Sequence, residues 1–134
     1  MKKISICIPV MNEAENISVA YKEIINLFKF KIPNYQYEII FTDNNSQDQT
    51  ENIIKEICEK DKFVKYIRFK NNVGYDKSIM EGYKNCSGDA AIVIDCDLQD
   101  PVEIISEFIT EWQKGYDLVY GVRKKRNENK IISY

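Results

Sequence analysis

The chain has 134 residues, of which 44% are apolar and 30% are charged. This length and composition are typical of a single globular domain that is large enough to bury a core. The formal net charge of -2 argues against a nucleic-acid-binding domain, which usually carries a strong basic excess. The sequence contains no histidine, which excludes Ser/His and Cys/His catalytic machinery and any histidine-ligated zinc site.

The four cysteines are far apart in the sequence and form no CxxC pair; they are Cys7, Cys58, Cys86 and Cys96. Two of them, Cys7 and Cys96, lie in or beside apolar runs, where cysteine behaves as a small buried hydrophobe. We therefore expect reduced thiols and a cytosolic setting. The first apolar run is too short for a signal peptide and is interrupted by Pro9, and no segment approaches the length of a membrane span.

Short apolar runs alternate with helical patterns along the chain, which predicts βαβ units and a largely parallel sheet. The predicted strands cover residues 4–9, 37–42, 64–69, 90–94 and 118–122. Each of the intervening segments that is predicted to be helical carries an apolar stripe at helical spacing.

The starts of three helices are predicted from capping residues. Asn12 and Glu15 are spaced as a capping box before the first helix. Ser46 and Asp48 compete as the N-cap of the second helix, and Asp100 is predicted to cap the last one. The predicted buried stripe of that last helix consists of Ile104, Ile105, Phe108, Ile109 and Trp112.

Polar residues follow three of the predicted strands, at residues 9–13, 43–46 and 95–99. A lone aspartate after a strand is usually a turn former or a cap, so the coincidence at three strand ends is the informative feature. In an open α/β sheet, ligands bind at the carboxyl edge. Asp95 and Asp97 repel each other there, which makes a divalent cation their natural partner. Asp43 is suited to accept a hydrogen bond from a base or a ribose.

Four segments make the chain similar to a known family: ICIPVMNE (6–13), YEIIFTDNNS (37–46), DCDLQDP (95–101) and GYDLVYGVR (115–123). The chain resembles the family 2 glycosyltransferases with a GT-A fold, in particular the polyprenyl-phosphate branch. That branch includes dolichol-phosphate mannose synthases and bacterial undecaprenyl-phosphate sugar transferases. The resemblance implies a Rossmann-like α/β fold for binding nucleotide diphosphate sugars, with a mostly parallel sheet flanked by helices.

The resemblance also implies the roles of individual residues on the donor side. Pro9 and Glu13 would line the pocket for the base and the ribose, and Asp43 would contact the base. Asp95 would face the ribose or the sugar.

For the diphosphate, the resemblance implies a metal site and a basic residue. Asp97 and Gln99 would ligate Mg²⁺ or Mn²⁺ beside Asp95. Arg123 would approach the phosphates of the donor or of the lipid acceptor. Asp97 and Arg123 are therefore the expected catalytic residues.

The implied activity is transfer of a hexose from a UDP- or GDP-hexose to a polyprenyl phosphate, with inversion and with a divalent metal, in the synthesis of membrane or cell-wall glycans. Such an acceptor is already an anion, so the reaction requires no strong general base. Two alternatives stay open: a family 2 transferase that acts on a saccharide acceptor in cell-surface polysaccharide synthesis, and a non-catalytic nucleotide-sugar-binding fragment. A phospho-acceptor signalling domain is disfavoured, because Arg123 stands in the region where that class needs a lysine.

Two departures from the family pattern leave the base open between uracil and guanine. The family commonly has Asp-Asp-Gly-Ser where this chain has Asp43-Asn44-Asn45-Ser46, and Met11 stands where mannose synthases often carry an aromatic ring.

The resemblance also indicates how much of the enzyme this sequence represents. Residues 1–134 are expected to be the nucleotide-sugar-binding part, without the acceptor half and membrane segments, and residues 131–134 stand where an interfacial helix ordinarily begins. The basic run 123–126 is either close to an anionic membrane or lipid phosphate, or a solvated segment. The full-length protein is expected in the cytoplasm at the inner face of the membrane.

Overall fold

The structure is a computed structural model that describes the backbone of residues 1–124 and 128–133 and the side chains of residues 1–123 and 131–133. The chain divides into two compact units, Met1–Asp100 and Pro101–Tyr134. No helix among the described residues combines the length and apolar character that are needed to cross a bilayer.

The first unit contains a four-stranded parallel sheet and three helices. In chain order its elements are β1 (Lys3–Val10), α1 (Ile17–Phe30), β2 (Gln36–Asp43), α2 (Thr50–Lys60), β3 (Val64–Arg68), α3 (Tyr75–Lys84) and β4 (Ala90–Val93). The strand order is β3-β2-β1-β4, and every neighbouring pair is parallel. The predicted α/β class and the four predicted strands of this unit are confirmed.

The two central strands supply most of the core. β1 is buried from Ile4 to Val10, and β2 from Glu38 to Asp43. Long apolar runs of this kind are typical of parallel strands that are covered on both faces. In the register, Val10 of β1 pairs with Asp43 of β2, so the two strands end level with each other. The segments that follow them therefore start at the same edge of the sheet.

The predicted starts of the helices are wrong, because each helix begins after the residues that were predicted to cap it. α1 begins at Ile17 after Asn16. The side-chain oxygen of Asn12 instead accepts a hydrogen bond from the backbone N–H of Gln47 at 2.8 Å, and Asn12 adopts a left-handed backbone with φ of +52°. The loop before α2 has thus drawn Asn12 away from the predicted capping box.

The other two helix starts are displaced in the same way. Gln49 precedes α2, while Asp48 accepts hydrogen bonds from the N–H groups of Thr50 and Ala14 at 2.9 and 3.2 Å. Before the last helix, residues 101–103 form a tight turn, so Glu103 rather than Asp100 is the flanking residue.

A buried polar cluster ties the strands together near their amino ends. Glu38, which is only 4% exposed, accepts hydrogen bonds from the hydroxyls of Ser5 and Ser87 at 2.6 Å each and pairs with Lys65 at 2.8 Å. Burial opposes ionisation of Glu38, but these interactions outweigh it and lower its pKa to about 2. Glu38 is therefore a buried carboxylate that is ionised and fully paired.

The second unit consists of α4 (Ile104–Gln113) and an antiparallel pair, β5 (Val119–Lys124) and β6 (Glu128–Ser133). Ile105 and Ile109 are the buried residues of α4, and Gly121 of β5 lies against Phe108. The predicted strand at 118–122 is confirmed, with bounds shifted to β5. The expected interfacial helix from residue 131 is wrong, because residues 131–133 belong to β6; residue 134 lies outside the described residues.

All four cysteines are free thiols, as expected, but two of them meet in the fold. The sulfur atoms of Cys7 on β1 and Cys86, which follows α3, lie 3.3 Å apart. Burial raises the pKa of the Cys7 thiol well above its usual range, and hydrogen bonding to Cys86 adds to the shift. The spacing of the cysteines along the sequence does not predict this pair.

Candidate functional site

A cavity of about 400 Å³ opens in the first unit at the carboxyl edge of the parallel sheet. Four segments of the chain form its wall, and each of them lies at or after the end of a strand. The lining residues are Pro9, Val10, Met11 and Glu13 at the end of β1, Asn44 after β2, Asn72, Gly74 and Tyr75 after β3, and Asp95, Cys96 and Asp97 after β4. The three polar strand ends singled out in the sequence therefore meet at one cavity.

The end of β1 forms part of the cavity wall, as the sequence predicts. Pro9 is buried and Glu13 is half-buried, and both line the cavity. The backbone N–H of Glu13 donates to the Thr50 hydroxyl at 2.9 Å, and its carboxylate accepts from the Asn16 amide at 2.7 Å. These bonds hold Glu13 in place at the cavity.

At the end of β2, Asp43 is not among the residues that line the cavity, and its expected contact with the base stays a prediction. Its side chain is fully buried, and four donors reach its carboxylate: the N–H and hydroxyl of Ser46, the Tyr66 hydroxyl and the Arg68 guanidinium. A buried carboxylate needs such partners, since an unpaired buried charge is costly. Burial, reinforced by the bond to Asp43, raises the pKa of Tyr66, so this phenol remains a donor.

The cavity residue that follows β2 is Asn44, which belongs to the polar segment 43–46 and departs from the family pattern. Its side-chain oxygen accepts from the N–H of Val73 at 3.2 Å, and its amide donates to the carbonyl of Gly74 at 3.4 Å. Asn44 thus fastens the end of β2 to the loop before α3.

The end of β4 places two exposed carboxylates on the same wall. Asp95 and Asp97 are exposed and line the cavity, whereas Cys96 between them is buried. The hydroxyl of Tyr75, the first residue of α3, donates to Oδ1 of Asp95 at 2.8 Å. Burial, together with this bond, raises the pKa of Tyr75 to about 12. Tyr75 lies outside the four sequence segments that resemble the family.

The chemistry of this wall fits a divalent cation that is shared with a bound diphosphate. Among the described residues, hydrogen bonds reach Oδ1 of Asp95 from Tyr75 and Oδ1 of Asp97 from the N–H of Gln99, so Oδ2 of each stays available. No group of three or more Cys, Asp or Glu side chains that could hold a metal occurs in the part of the chain that the structure describes. Mg²⁺-type sites commonly use one or two carboxylates and complete their shell with phosphate oxygens and water.

Besides Asp43, two predicted site residues are not among those that line the cavity. Gln99 is exposed and does not line the cavity. Arg123 lies on β5 in the second unit, with an exposed side chain. Residues 125 and 126 of the predicted basic run lie outside the described residues.

A cavity at the carboxyl edge of a parallel sheet of order β3-β2-β1-β4 is typical of α/β proteins that bind nucleotides. The comparisons with known proteins make the class specific. The chain matches glycosyl transferase family 2 over residues 5–132 and belongs to this family.

Some known proteins are similar to this chain in sequence, and some solved structures are similar to it in fold. A bactoprenol glucosyl transferase of Shigella phage SfV is 41% identical over 125 residues, which are 93% of this chain and 40% of that protein. The chain thus spans about two fifths of the length of this relative. Among solved structures, the mannosyltransferase PcManGT of Pyrobaculum calidifontis, in complex with GDP-Man and Mn²⁺, matches 92% of this chain and 36% of its own with a TM-score of 0.75 and 14% identity. TarS of S. aureus in complex with UDP-GlcNAc matches 81% of this chain and 31% of its own, with a TM-score of 0.62 and 22% identity. The GT-A fold implied by the resemblance is confirmed.

Proposed function

We propose that the protein transfers a hexose from a nucleotide diphosphate sugar to a polyprenyl phosphate, with inversion at the anomeric carbon and with Mg²⁺ or Mn²⁺. The observation that carries this proposal is the pair Asp95 and Asp97 on the wall of a cavity at the sheet edge, in a family 2 chain that is 41% identical to a bactoprenol glucosyl transferase. Bactoprenol is a polyprenyl lipid, which supports the choice of acceptor.

The donor nucleotide is proposed to lie along the sheet edge, with its base toward the ends of β1 and β2. Pro9, Glu13 and Asn44 are the cavity residues at that end. A direct contact between Asp43 and the base stays a prediction, because it requires the carboxylate to give up one of its four present donors. The proposed role of Asp43 without that exchange is to hold the turn after β2 beneath the base.

The diphosphate is proposed to lie toward the end of β4, where Asp95 and Asp97 would hold the cation and Gln99 would assist. When bound, the metal neutralises the negative charge that gathers on the departing diphosphate. Mn²⁺ occurs in the complex of PcManGT named above, which supports a divalent cation for this chain. Arg123 is proposed to approach the phosphates of the donor or the acceptor.

The proposed acceptor explains why the cavity needs no histidine. A polyprenyl phosphate is already an anion and can attack the anomeric carbon without losing a proton to the protein. Because this acceptor is anchored in a lipid bilayer, the protein is proposed to act at the cytoplasmic face of a membrane, as part of membrane or cell-wall glycan synthesis.

The proposal is tested by sugar transfer from UDP-glucose or GDP-mannose to undecaprenyl phosphate in Mn²⁺, followed by mass spectrometry of the lipid product. We expect Asp97→Ala to lower the rate by at least about 100-fold, since it removes charge stabilisation at the leaving group. Asp117→Asn, which changes an exposed aspartate of the second unit, should keep the rate of the unaltered protein. Glycosylation of a saccharide acceptor but not of the lipid phosphate would contradict the proposed acceptor.

A further inference from the structure

We infer that Tyr75 is a positioning residue of the donor site: its phenol fixes the rotamer of Asp95 so that the second carboxylate oxygen is presented to the ligand. This inference deepens the proposed function and rests on it. It concerns a residue that neither the sequence motifs nor the acidic pair itself includes.

The backbone around Tyr75 positions its side chain close to the end of β4. Tyr75 opens α3 directly after Gly74, whose φ of +86° lies in the left-handed region that favours glycine. Asn44, the residue after β2, anchors the loop before α3. Its side-chain oxygen accepts a hydrogen bond from the N–H of Val73, and its side-chain nitrogen donates one to the carbonyl of Gly74. These bonds fix the backbone from which the Tyr75 side chain extends to Asp95.

The hydrogen bond joins two segments that follow different strands of the sheet. α3 follows β3 along the chain, whereas Asp95 follows β4 at the opposite end of the strand order. The Tyr75 hydroxyl lies 2.8 Å from Oδ1 of Asp95, and both residues line the cavity. This bond is a direct side-chain link between the start of α3 and the acidic segment after β4.

The consequence for binding follows from the chemistry of the two groups. A phenol donates one hydrogen bond, and a carboxylate offers two oxygens. Because Tyr75 occupies Oδ1, Oδ2 of Asp95 keeps a defined direction even though Asp95 is exposed. A preoriented ligand group binds more tightly, since it loses less rotamer freedom when the complex forms. Without the hydroxyl, Asp95 would have to be ordered by the nucleotide and the cation.

The experiment compares two tyrosines of the same helix. Tyr75→Phe removes only the hydroxyl, and Tyr83→Phe makes the same change at an exposed position of α3 that does not line the cavity. The dissociation constants of UDP and GDP are measured in Mn²⁺ by calorimetry, with NMR titration for millimolar affinities. We expect Tyr75→Phe to weaken binding of the preferred nucleotide by roughly 3- to 10-fold, the usual cost of ordering one side chain on binding, and Tyr83→Phe to leave the affinity within about twofold.

A double-mutant cycle with Asp95→Ala distinguishes positioning from a direct contact. If the hydroxyl acts through Asp95, adding Tyr75→Phe to Asp95→Ala should change the dissociation constant by less than about twofold. An equal loss in both backgrounds would overturn the inference, because Tyr75 would then act on the ligand itself or on the fold. Thermal unfolding midpoints of all variants are recorded to detect a loss of fold.

The inference and the proposed function fail in distinguishable ways. Nucleotide binding by the unaltered protein that is unaffected by Tyr75→Phe would overturn the inference alone. The absence of any UDP or GDP binding by the unaltered protein in Mn²⁺ would overturn both.

Discussion

Asp43 and Asp95 carry the same carboxyl group at the ends of two strands of one sheet, yet their surroundings differ completely. Asp43 is fully buried and accepts from four donors, whereas Asp95 is exposed and accepts one hydrogen bond, from Tyr75. A carboxylate whose oxygens are taken up by the protein supports the backbone, and one that keeps an oxygen available can bind a ligand. The residue type alone does not distinguish these two roles.

At the scale of the residue, Glu38 also leads to a prediction of how the stability of the fold depends on pH. Its pKa in the folded state is about 2, below the value of about 4.3 in an unfolded chain. The unfolded chain therefore binds a proton at Glu38 more readily than the folded protein does. The stabilisation from Glu38 is present above about pH 4.3 and is lost as the pH falls toward 2.

We expect Glu38→Gln to lower the free energy of unfolding at pH 7 by about 2 kcal/mol, because it removes the charge that pairs with Lys65 and accepts from Ser5 and Ser87. The deficit should shrink between pH 4 and pH 2. Urea unfolding at several pH values measures both effects, with Glu56→Gln at an exposed position of α2 as the control. A deficit that stays constant down to pH 2 would contradict the assignment of a low pKa to Glu38.

At the scale of elements, the turn between α3 and β4 determines the position of the acidic wall, which is the part of the cavity wall formed by Asp95 and Asp97. The N–H of Gly88 donates to the Ser5 hydroxyl at 2.9 Å, and the N–H of Asp89 donates to the carbonyl of Lys3 at 2.7 Å. These bonds attach the start of β4 to the start of β1 in the register that pairs Ile4 with Ala90. Because β4 is attached there, Asp95 and Asp97 come to lie beside the end of β1.

Gly88 is required in that turn for reasons of space. A Cβ atom at this position would lie 2.6 Å from Oγ of Ser5 and 2.7 Å from the carbonyl oxygen of Lys3. We expect Gly88→Ala to lower the free energy of unfolding by about 1–3 kcal/mol, as overpacking does elsewhere, and to weaken nucleotide binding in parallel. Gly121→Ala, whose new Cβ would make ordinary contacts of 3.6 Å or more, is the control. Unchanged urea unfolding of Gly88→Ala would show that the turn is not as tightly packed as described.

For the whole molecule, the alternation of strands and helices could be predicted because burial leaves a direct pattern in the sequence. The central strands are long apolar runs, and the polar residues after them mark the edge of the sheet. The contacts of single side chains could not be predicted in this way, since their partners come from distant segments. Asn12 bonds to Gln47 instead of capping α1, and Tyr75 reaches Asp95 across the cavity.

The division of the chain into two units determines which part of the proposed site each experiment tests. All residues that line the cavity at the sheet edge belong to Met1–Asp100, whereas Arg123 belongs to the second unit. Binding of the nucleotide and the cation therefore examines the first unit, whereas the proposed transfer to the lipid also examines the proposed role of Arg123. The family relatives are longer than this chain, which covers 40% of the bactoprenol glucosyl transferase of phage SfV.

The most direct measurement is calorimetric binding of UDP and GDP to the protein, each in Mn²⁺ and each in EDTA. Because the proposed cation would be bound by the two carboxylates of Asp95 and Asp97, we predict that one nucleotide binds in Mn²⁺, that EDTA weakens this binding by at least about tenfold, and that Mn²⁺ without nucleotide binds only weakly. The preferred nucleotide would also identify the base. Binding that is equally tight in EDTA would contradict the metal site, and no binding of either nucleotide in Mn²⁺ would contradict the assignment of the cavity as a donor site.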